Sequence, residues 1–217
     1  MPDIRLLIFD WDGTLMDSEA QIVHCMQAAI GDLFLAPRSD EQICHIIGLG
    51  LKEAVLALYP DSPAELAGRL SAQYRVHWLA QAEEAPLFPG VEPTLRELHA
   101  AGYRLAVATG KGRAGLDKVL RSTGLGELFH VTRCSDETRS KPHPQMLHEI
   151  LDELRMAPHQ SVMIGDTEYD LEMSRRAGMP AIAVSYGVHP LERLQTYQPL
   201  ACLDNIRELQ DWLDASS

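Results

Sequence analysis

The sequence has few cysteines, no long apolar segment and no signal-like start. Its four cysteines, Cys25, Cys44, Cys134 and Cys202, are far apart, and no two of them form a CxxC pair. This scarcity argues against a disulfide framework or a zinc site and is typical of free thiols in a reducing compartment. No apolar run approaches membrane-spanning length, and the start Met1-Pro2-Asp3 lacks the basic and then apolar pattern of a signal peptide. We therefore expect a cytoplasmic protein with no membrane partner.

Positive charge is also scarce. The chain has 19 Lys and Arg against 31 Asp and Glu, a formal net charge of −12 at pH 7. A protein that binds nucleic acid needs a basic surface that neutralises phosphates, and no basic stripe is present here. We therefore expect no nucleic-acid partner. Small phosphorylated ligands are compatible with the acidic charge, because a bound cation can reverse the local field.

The distribution of apolar residues predicts an α/β fold. The segment Leu6–Phe9 is apolar without alternation, as in a parallel strand that is covered on both faces. From Thr14 to about Glu83 the pattern is helical, whereas from Val91 onward helices and strands alternate, which is typical of a doubly wound sheet. The 217 residues suffice for one domain with a smaller one inserted. We predict a doubly wound parallel sheet over residues 1–15 and 87–217, interrupted by a four-helix insertion over residues 16–86.

Two acids, Asp10 and Asp12, directly follow the first predicted strand. Residues i and i+2 of an extended chain point to the same side, so both carboxylates are expected at the strand's carboxyl end, where open α/β sheets bind ligands. Two close carboxylates repel each other unless a cation or a shared proton compensates. A hard cation such as Mg²⁺ suits a site of oxygen ligands. The alternative is a strand that ends in an ordinary polar turn at Asp12-Gly13.

Three more polar clusters follow predicted strands. Thr109-Gly110-Lys111 offers a hydroxyl and a backbone N–H at a helix start, which suits phosphate, although Thr-Gly also begins ordinary helices. Lys141 stands in a proline-containing loop and, taken alone, would be a solvated lysine. Asp166 and Asp170 share one face at a helix start, where simple helix capping would also explain them. Together with the first pair of acids, these clusters are far more specific than any one alone.

In this order, the four clusters resemble the haloacid dehalogenase superfamily of phosphohydrolases. The matching motifs are D-x-D-G-T at Asp10–Thr14, the threonine at Thr109, the lysine in Lys141–Pro144 and G-D-x-x-x-D at Gly165–Asp170. The helical insertion is similar to the mobile cap of subfamily I, the helical C1 cap. Phe88-Pro89-Gly90-Val91, where the chain returns from the insertion, resembles the phosphoglycolate phosphatase-like branch of that superfamily.

The resemblance implies a Mg²⁺-dependent phosphohydrolase that cleaves a small phosphorylated metabolite, with phosphoglycolate as the leading expectation. Asp10 would be the nucleophile and would form an aspartyl-phosphate. Asp12 would protonate the leaving group and then act as the base that activates water. The Asp10 carboxylate, the Asp12 backbone carbonyl and Asp166 would bind Mg²⁺.

The resemblance also assigns roles to the remaining motif residues. Thr109 and the Gly110 N–H would hold phosphate oxygens, and Lys141 would offset charge in the transition state. Asp170 would not bind the metal directly but would orient a metal-bound water or Lys141. Gly110 departs from the pattern, because many phosphoglycolate phosphatase relatives carry Asn there, and a contact to substrate or phosphate is expected to be missing.

Substrate preference depends on the cap, where His45, Lys52 and the turn at residues 48–50 are the candidates for facing the site. Lys52 is equally compatible with a solvated helix surface.

A phosphomutase of the β-phosphoglucomutase type would keep all four motifs, and pyrophosphate is an alternative substrate. A dehalogenase is disfavoured because its relatives lack the second acid. A non-catalytic binding module with this fold would usually have lost a motif acid, and none is missing. We expect a monomer or a homodimer.

Overall fold

The computed structural model describes residues 4–81 and 85–216. Within these ranges six strands form one parallel sheet in the order β3-β2-β1-β4-β5-β6, which confirms the predicted α/β architecture. The strands are β1 (Leu6–Phe9), β2 (Arg104–Thr109), β3 (Val131–Cys134), β4 (Ser161–Gly165), β5 (Ala181–Val184) and β6 (Cys202–Leu203). The helices are α1 (Glu19–Asp32), α2 (Asp40–Cys44), α3 (Leu51–Leu58), α4 (Ala64–Ala80), α5 (Val91–Ala100), α6 (Arg113–Thr123), α7 (Gln145–Leu154), α8 (Glu168–Arg176), α9 (Leu191–Gln195) and α10 (Glu208–Ser216).

Strand β1 lies at the centre of the sheet, between β2 and β4, and all four of its side chains are fully buried. Leu7 and Phe9 belong to the apolar cluster on one face of the sheet, which α5, α6 and α10 cover. Leu6 and Ile8 belong to the cluster on the other face, together with side chains of α7 and α8. Burial of each such apolar side chain contributes about 1.5–3 kcal/mol to the free energy of unfolding. Because both faces of the sheet are covered, β1 shows no alternation of polar and apolar residues.

The insertion consists of α1 to α4, which share a second apolar core. Ser39 is the N-cap of α2, since its hydroxyl accepts a hydrogen bond from Gln42 N. The two connections to the sheet domain lie side by side, because Met16 pairs with Leu87 in an antiparallel bridge. The domain boundaries proposed above stay a prediction. The predicted end of α4 near Glu83 lies outside the described residues.

One strand is shifted relative to the prediction. The sequence pattern predicts Phe129–Thr132, whereas β3 spans Val131–Cys134 and is aligned with the second half of β2. The shift arises because α6 ends at Gly124, whose left-handed backbone (φ 67°) stops the helix, and residues 126–128 then form one turn of 3₁₀ helix. None of the described helices is long and apolar enough to cross a membrane.

Candidate active site

Four motif residues meet at the carboxyl edge of the sheet. Asp10 follows β1, Thr109 is the last residue of β2, and Asp166 follows β4. Lys141 comes from the loop after β3, and its ammonium lies 2.8 Å from Asp10 Oδ1. Parallel strands end at a common edge, so residues that are far apart in the sequence are neighbours here.

Lys141 is fully enclosed between two carboxylates. Its side chain is 0% exposed, and its Nζ lies 2.8 Å from Asp10 Oδ1 and 2.6 Å from Asp170 Oδ1. Burial lowers the pKa of Lys141, but the two neighbouring carboxylates outweigh burial and leave that pKa raised. The lysine is therefore a fixed positive charge beside Asp10 and not a solvated loop residue.

Negative charge exceeds positive charge in this cluster. Carboxylate oxygens of Asp10, Asp166 and Asp170 all lie within 4.8 Å of one another, and Lys141 pairs with only two of these residues. Burial raises the pKa of Asp10 well above its ordinary value, and burial together with the nearby Asp170 raises the pKa of Asp166 to about 7. A group of buried acids with too little compensating charge is a setting that a divalent cation stabilises.

The donor set of the cluster fits a hard metal ion. Asp10 Oδ1 accepts hydrogen bonds from Trp11 N and Lys141, whereas buried Asp10 Oδ2 has no partner among the described residues. Asp170 has both oxygens engaged, Oδ1 by Lys141 and Oδ2 by the backbone and hydroxyl of Thr167. Within the described part of the chain, Asp166 accepts hydrogen bonds only from neutral donors, whereas Asp170 is ion-paired with Lys141. Asp10, through its unpaired Oδ2, and Asp166 are therefore the better candidates for direct metal ligands, and Asp170 supports Lys141.

Asp166 sits in a slot that only glycines leave open. A Cβ at Gly13 would lie 2.1 Å from Asp166 Oδ2, and a Cβ at Gly187 would lie 2.2 Å from Asp166 Cβ. Gly13 also has a positive φ of 78°, which a larger residue would adopt only with strain. Thr14 Oγ1 and Val188 N donate to the two oxygens of Asp166 at 2.7 and 2.9 Å. The Gly-Thr of the first motif therefore positions the acid of the last one.

Asp12 has different partners from Asp10. Ser18 Oγ donates to Asp12 Oδ1 at 2.6 Å, and Lys111 Nζ lies 3.0 Å from Asp12 Oδ2. Neither partner has a role assigned from the sequence. Lys111 could have been noticed, because it is the third residue of the predicted phosphate cluster Thr109-Gly110-Lys111, whereas nothing in the sequence places Ser18 beside Asp12. The two acids of the first motif thus occupy distinct electrostatic settings.

A cavity of about 490 Å³ lies between the sheet domain and the helical insertion. Asp10, Asp12, Thr109 and Gly110 line it from the sheet domain. The insertion contributes side chains that include Ile47, Lys52 and Trp78, so the structure brings Lys52 to the cavity.

His45, the other predicted cap candidate, does not line this cavity. Its exposed ring stacks on His189 at 5.9 Å between centroids, and its Nδ1 lies 2.8 Å from Arg193 Nη1. It is the residue that directly follows α2. His45 therefore contacts the sheet domain beside the site, and its role in substrate preference stays a prediction.

The turn at residues 48–50 rests directly on the predicted phosphate loop. Gly50 N donates to Ser140 Oγ at 2.6 Å. A Cβ at Gly110 would lie only 2.5 Å from Gly48 O and 2.6 Å from Leu49 O. The presence of glycine at position 110, where the family pattern has a larger residue, therefore has a steric explanation. The backbone of the insertion occupies the space that a side chain would need.

Comparisons with known proteins agree with this geometry. Residues 7–184 match the family described as haloacid dehalogenase-like hydrolase. A Dickeya dadantii protein named Probable phosphatase IndB is 35% identical over 210 residues, which cover 94% of this chain and 91% of that protein. A phosphoglycolate phosphatase of Colwellia psychrerythraea is 31% identical over 214 residues, with 94% and 95% covered. A solved haloacid dehalogenase-like family hydrolase from Streptococcus pneumoniae superposes with a TM-score of 0.85 at 25% identity, covering 98% of this chain and 100% of its own.

The matched region contains all of the motif residues described above, from Asp10 to Asp170. The relatives align over nearly the whole chain, so the helical insertion is included in the similarity. The chain therefore belongs to the haloacid dehalogenase-like hydrolase family.

Proposed function

We propose that this phosphatase hydrolyses a small phosphorylated metabolite with Mg²⁺ and through an aspartyl-phosphate on Asp10. The observation that carries the proposal is the setting of the Asp10 carboxylate. One of its oxygens is bound by Lys141 and Trp11 N, and the other, buried beside Asp166, has no partner among the described residues. A carboxylate held in one orientation is suited to attack phosphorus through one oxygen while the other binds the metal ion.

The proposed reaction has two displacements. In the first, an Asp10 oxygen forms a bond to phosphorus while the bond to the leaving oxygen breaks, and Asp12 gives that oxygen a proton. In the second, Asp12 takes a proton from water, the water oxygen bonds to phosphorus, and the Asp10 carboxylate is released with inorganic phosphate. The position of Asp12 at the cavity, away from Lys141 and next to Lys111, supports this division of roles.

The remaining motif residues would stabilise the phosphoryl group. Thr109 is buried at the end of β2, and Gly110 follows it where the chain turns toward α6, so the hydroxyl and the N–H are the proposed phosphate donors. Lys141 would offset the charge shared between Asp10 and the phosphoryl oxygens. Mg²⁺, held by Asp10, Asp166 and the Asp12 carbonyl, would supply further positive charge to the phosphoryl group.

Phosphoglycolate is the proposed substrate. Support comes from the curated relative of 31% identity that carries this name. Hydrolysis rates for a panel of phosphoglycolate, inorganic pyrophosphate and hexose phosphates test the assignment. Phosphoglycolate should have the highest kcat/KM. A preference for pyrophosphate, or transfer between the hydroxyls of a hexose phosphate, would replace it with one of the two alternatives.

Removal of divalent metal should abolish turnover. With p-nitrophenyl phosphate as substrate, excess chelator is expected to lower the rate to background, because the buried acids then repel the phosphate dianion. Mn²⁺ or Co²⁺ should restore turnover, whereas Ca²⁺ should inhibit, since its looser coordination misplaces the nucleophile. Mg²⁺ should also raise the melting temperature of the parent but not of Asp166→Asn. Full turnover in excess chelator would contradict the proposal.

Substitution of Gly110 should hold the cap away from the site. Gly110→Ala adds a Cβ that would lie 2.5 Å from Gly48 O, so the observed closure is not accessible. We expect kcat/KM to fall about 10²-fold, because a displacement of the order of 1 Å near the chemistry has that effect. The melting temperature should change little, since the new contact is lost when the cap moves away. Steady-state kinetics and thermal unfolding measure both quantities.

Gly68→Ala is the matched control. A Cβ there meets nothing within 4 Å, and Gly68 lies in α4 of the same insertion. Its kcat/KM should equal that of the parent. If Gly110→Ala also behaves like the parent, the close approach of the turn at residues 48–50 plays no part in turnover.

A further inference from the structure

Lys111 connects the proposed acid–base residue to the helical insertion. Its Nζ lies 3.0 Å from Asp12 Oδ2 on one side. On another side it lies 3.9 Å from the centroid of the Trp78 ring, which belongs to α4 of the insertion. One ammonium therefore contacts both domains at the cavity.

Gly115 leaves space for the methylene groups of the Lys111 side chain. A Cβ at Gly115, one turn further along α6, would lie 3.0 Å from Lys111 Cγ and 3.3 Å from Lys111 Cδ. At the other end, Lys111 N donates to Thr109 Oγ1 at 3.1 Å, which ties the residue to the phosphate loop. Ordering a long lysine side chain costs rotamer freedom, so contacts along the stem are needed to hold it in one place.

The Lys111–Asp12 pair is largely shielded from water where the insertion meets the sheet domain. The Lys111 side chain is 7% exposed and that of Asp12 is 11% exposed. An ion pair shielded from water is stronger than a solvated one, and an ammonium over an indole ring is attracted more strongly when it is desolvated. Displacement of α4, and of Trp78 with it, would remove both gains. The position of the Asp12 carboxylate is therefore sensitive to whether the cap is closed.

We propose that Lys111 is a positioning residue that couples closure of the cap to the placement of the Asp12 carboxylate. The proposal rests on the proposed function, because it takes Asp12 as the residue that protonates the leaving group. Lys111 itself transfers no proton and does not contact phosphorus. It holds Asp12, together with Ser18, so that the proton is delivered only after Trp78 has covered the site.

The test compares leaving groups of different basicity. In Lys111→Met the stem is kept and the charge is removed. For an alkyl phosphate, whose leaving group needs a proton, we expect kcat/KM to fall about 10²-fold, the lower end of what acid–base catalysis contributes. For p-nitrophenyl phosphate, whose leaving group needs little protonation, it should fall by no more than about threefold. The alkyl loss should lie mainly in kcat, and Lys111→Arg should recover most of it. Equal losses on both substrates, or no loss on either, would overturn the proposal.

Lys118→Met is the matched control for the loss of a lysine that reaches the insertion. Lys118 lies on α6, which begins two residues after Lys111, and its Nζ donates to the backbone oxygen of Gln81 at 3.4 Å. This variant should keep the parent kinetics on both substrates. A loss confined to the alkyl phosphate in Lys118→Met as well would also overturn the proposal, since the effect would not belong to Lys111.

A second measurement does not depend on turnover. Acrylamide quenching of Trp78, taken as the difference between each protein and its Trp78→Phe counterpart, should increase in Lys111→Met and stay at the parent value in Lys118→Met. Unchanged quenching in Lys111→Met would overturn the coupling even if the enzyme were inactive on every phosphate tested. If quenching increases and the parent hydrolyses no phosphate, the proposed function fails, while the link between Lys111 and the position of Trp78 stands.

Discussion

Asp10→Asn is expected to lower kcat about 10⁴-fold or more, the scale found when a catalytic nucleophile is removed. The amide has nearly the same shape as the carboxylate, so the packing beside Trp11 and Lys141 is retained. It lacks the negative charge, and an amide oxygen is a poor nucleophile toward phosphorus. No other described group takes the place of this carboxylate at the end of β1. Turnover of p-nitrophenyl phosphate measures the rate, and acid-quenched mass spectrometry detects the phosphoenzyme.

Asp17→Asn is the control for Asp10→Asn. Asp17 is exposed on the connection between the domains, and its backbone N–H bonds to Pro86 O. This variant should match the parent in kcat and in phosphoenzyme signal. The nucleophile assignment would be wrong if Asp10→Asn, shown by thermal unfolding to be folded, kept more than about one hundredth of the parent rate.

Lys141→Met is expected to lose both activity and stability. Its ammonium is 0% exposed and pairs with Asp10 and Asp170, and removing one partner of a buried ion pair costs about 3–5 kcal/mol of unfolding free energy. The kcat should fall about 10³-fold, because the charge beside the nucleophile and the phosphoryl group is gone. Urea unfolding and steady-state kinetics on p-nitrophenyl phosphate measure the two losses.

The stability loss in Lys141→Met should depend on pH. Asp10 and Asp166 already have pKa values raised above those of free carboxyls by burial. Without the lysine these values rise further, so the folded state binds more protons than the unfolded state above about pH 4. Stability then falls as the pH rises, and the deficit relative to the parent should be larger at pH 8 than at pH 5.5. An equal deficit at both values would show that Lys141 does not compensate these carboxylates.

Lys52→Met serves as the control for that experiment. Lys52 is exposed on α3 and lines the cavity near its cap side. Removal of its charge should leave the free energy of unfolding unchanged at both pH values. A pH-dependent deficit in this variant as well would indicate a general effect of net charge and not a local one at the buried acids.

The sheet and the convergence of the motif residues were predictable from the sequence. Leu6–Phe9 is apolar on both faces because a central parallel strand is covered on both sides. The polar residues Asp10, Thr109 and Asp166 come directly at or after strand ends, and parallel strands end at one edge. Those two local patterns are sufficient to bring the residues together, without knowledge of any side-chain contact.

Only the tertiary structure decided which residues surround those motifs. Ser18 and Lys111 contact Asp12, and Gly13 and Gly187 leave room for Asp166, and these contacts exist only in the folded chain. His45, a predicted candidate for facing the site, contacts Arg193 and His189 of the sheet domain. The reason is geometric: the face of a short helical segment that meets another domain depends on how the domains pack.

At Gly110, one property was predictable from the sequence and another was decided only by the tertiary structure. The sequence marked it as a departure from the family pattern and predicted a missing contact. The structure shows the backbone of Gly48 and Leu49 in the space that a side chain at Gly110 would need. Strand order and motif chemistry follow from local apolar and polar patterns, which each segment carries by itself. The approach of the cap to the phosphate loop depends on two segments about 60 residues apart, and excluded volume between them exists only once both domains have folded.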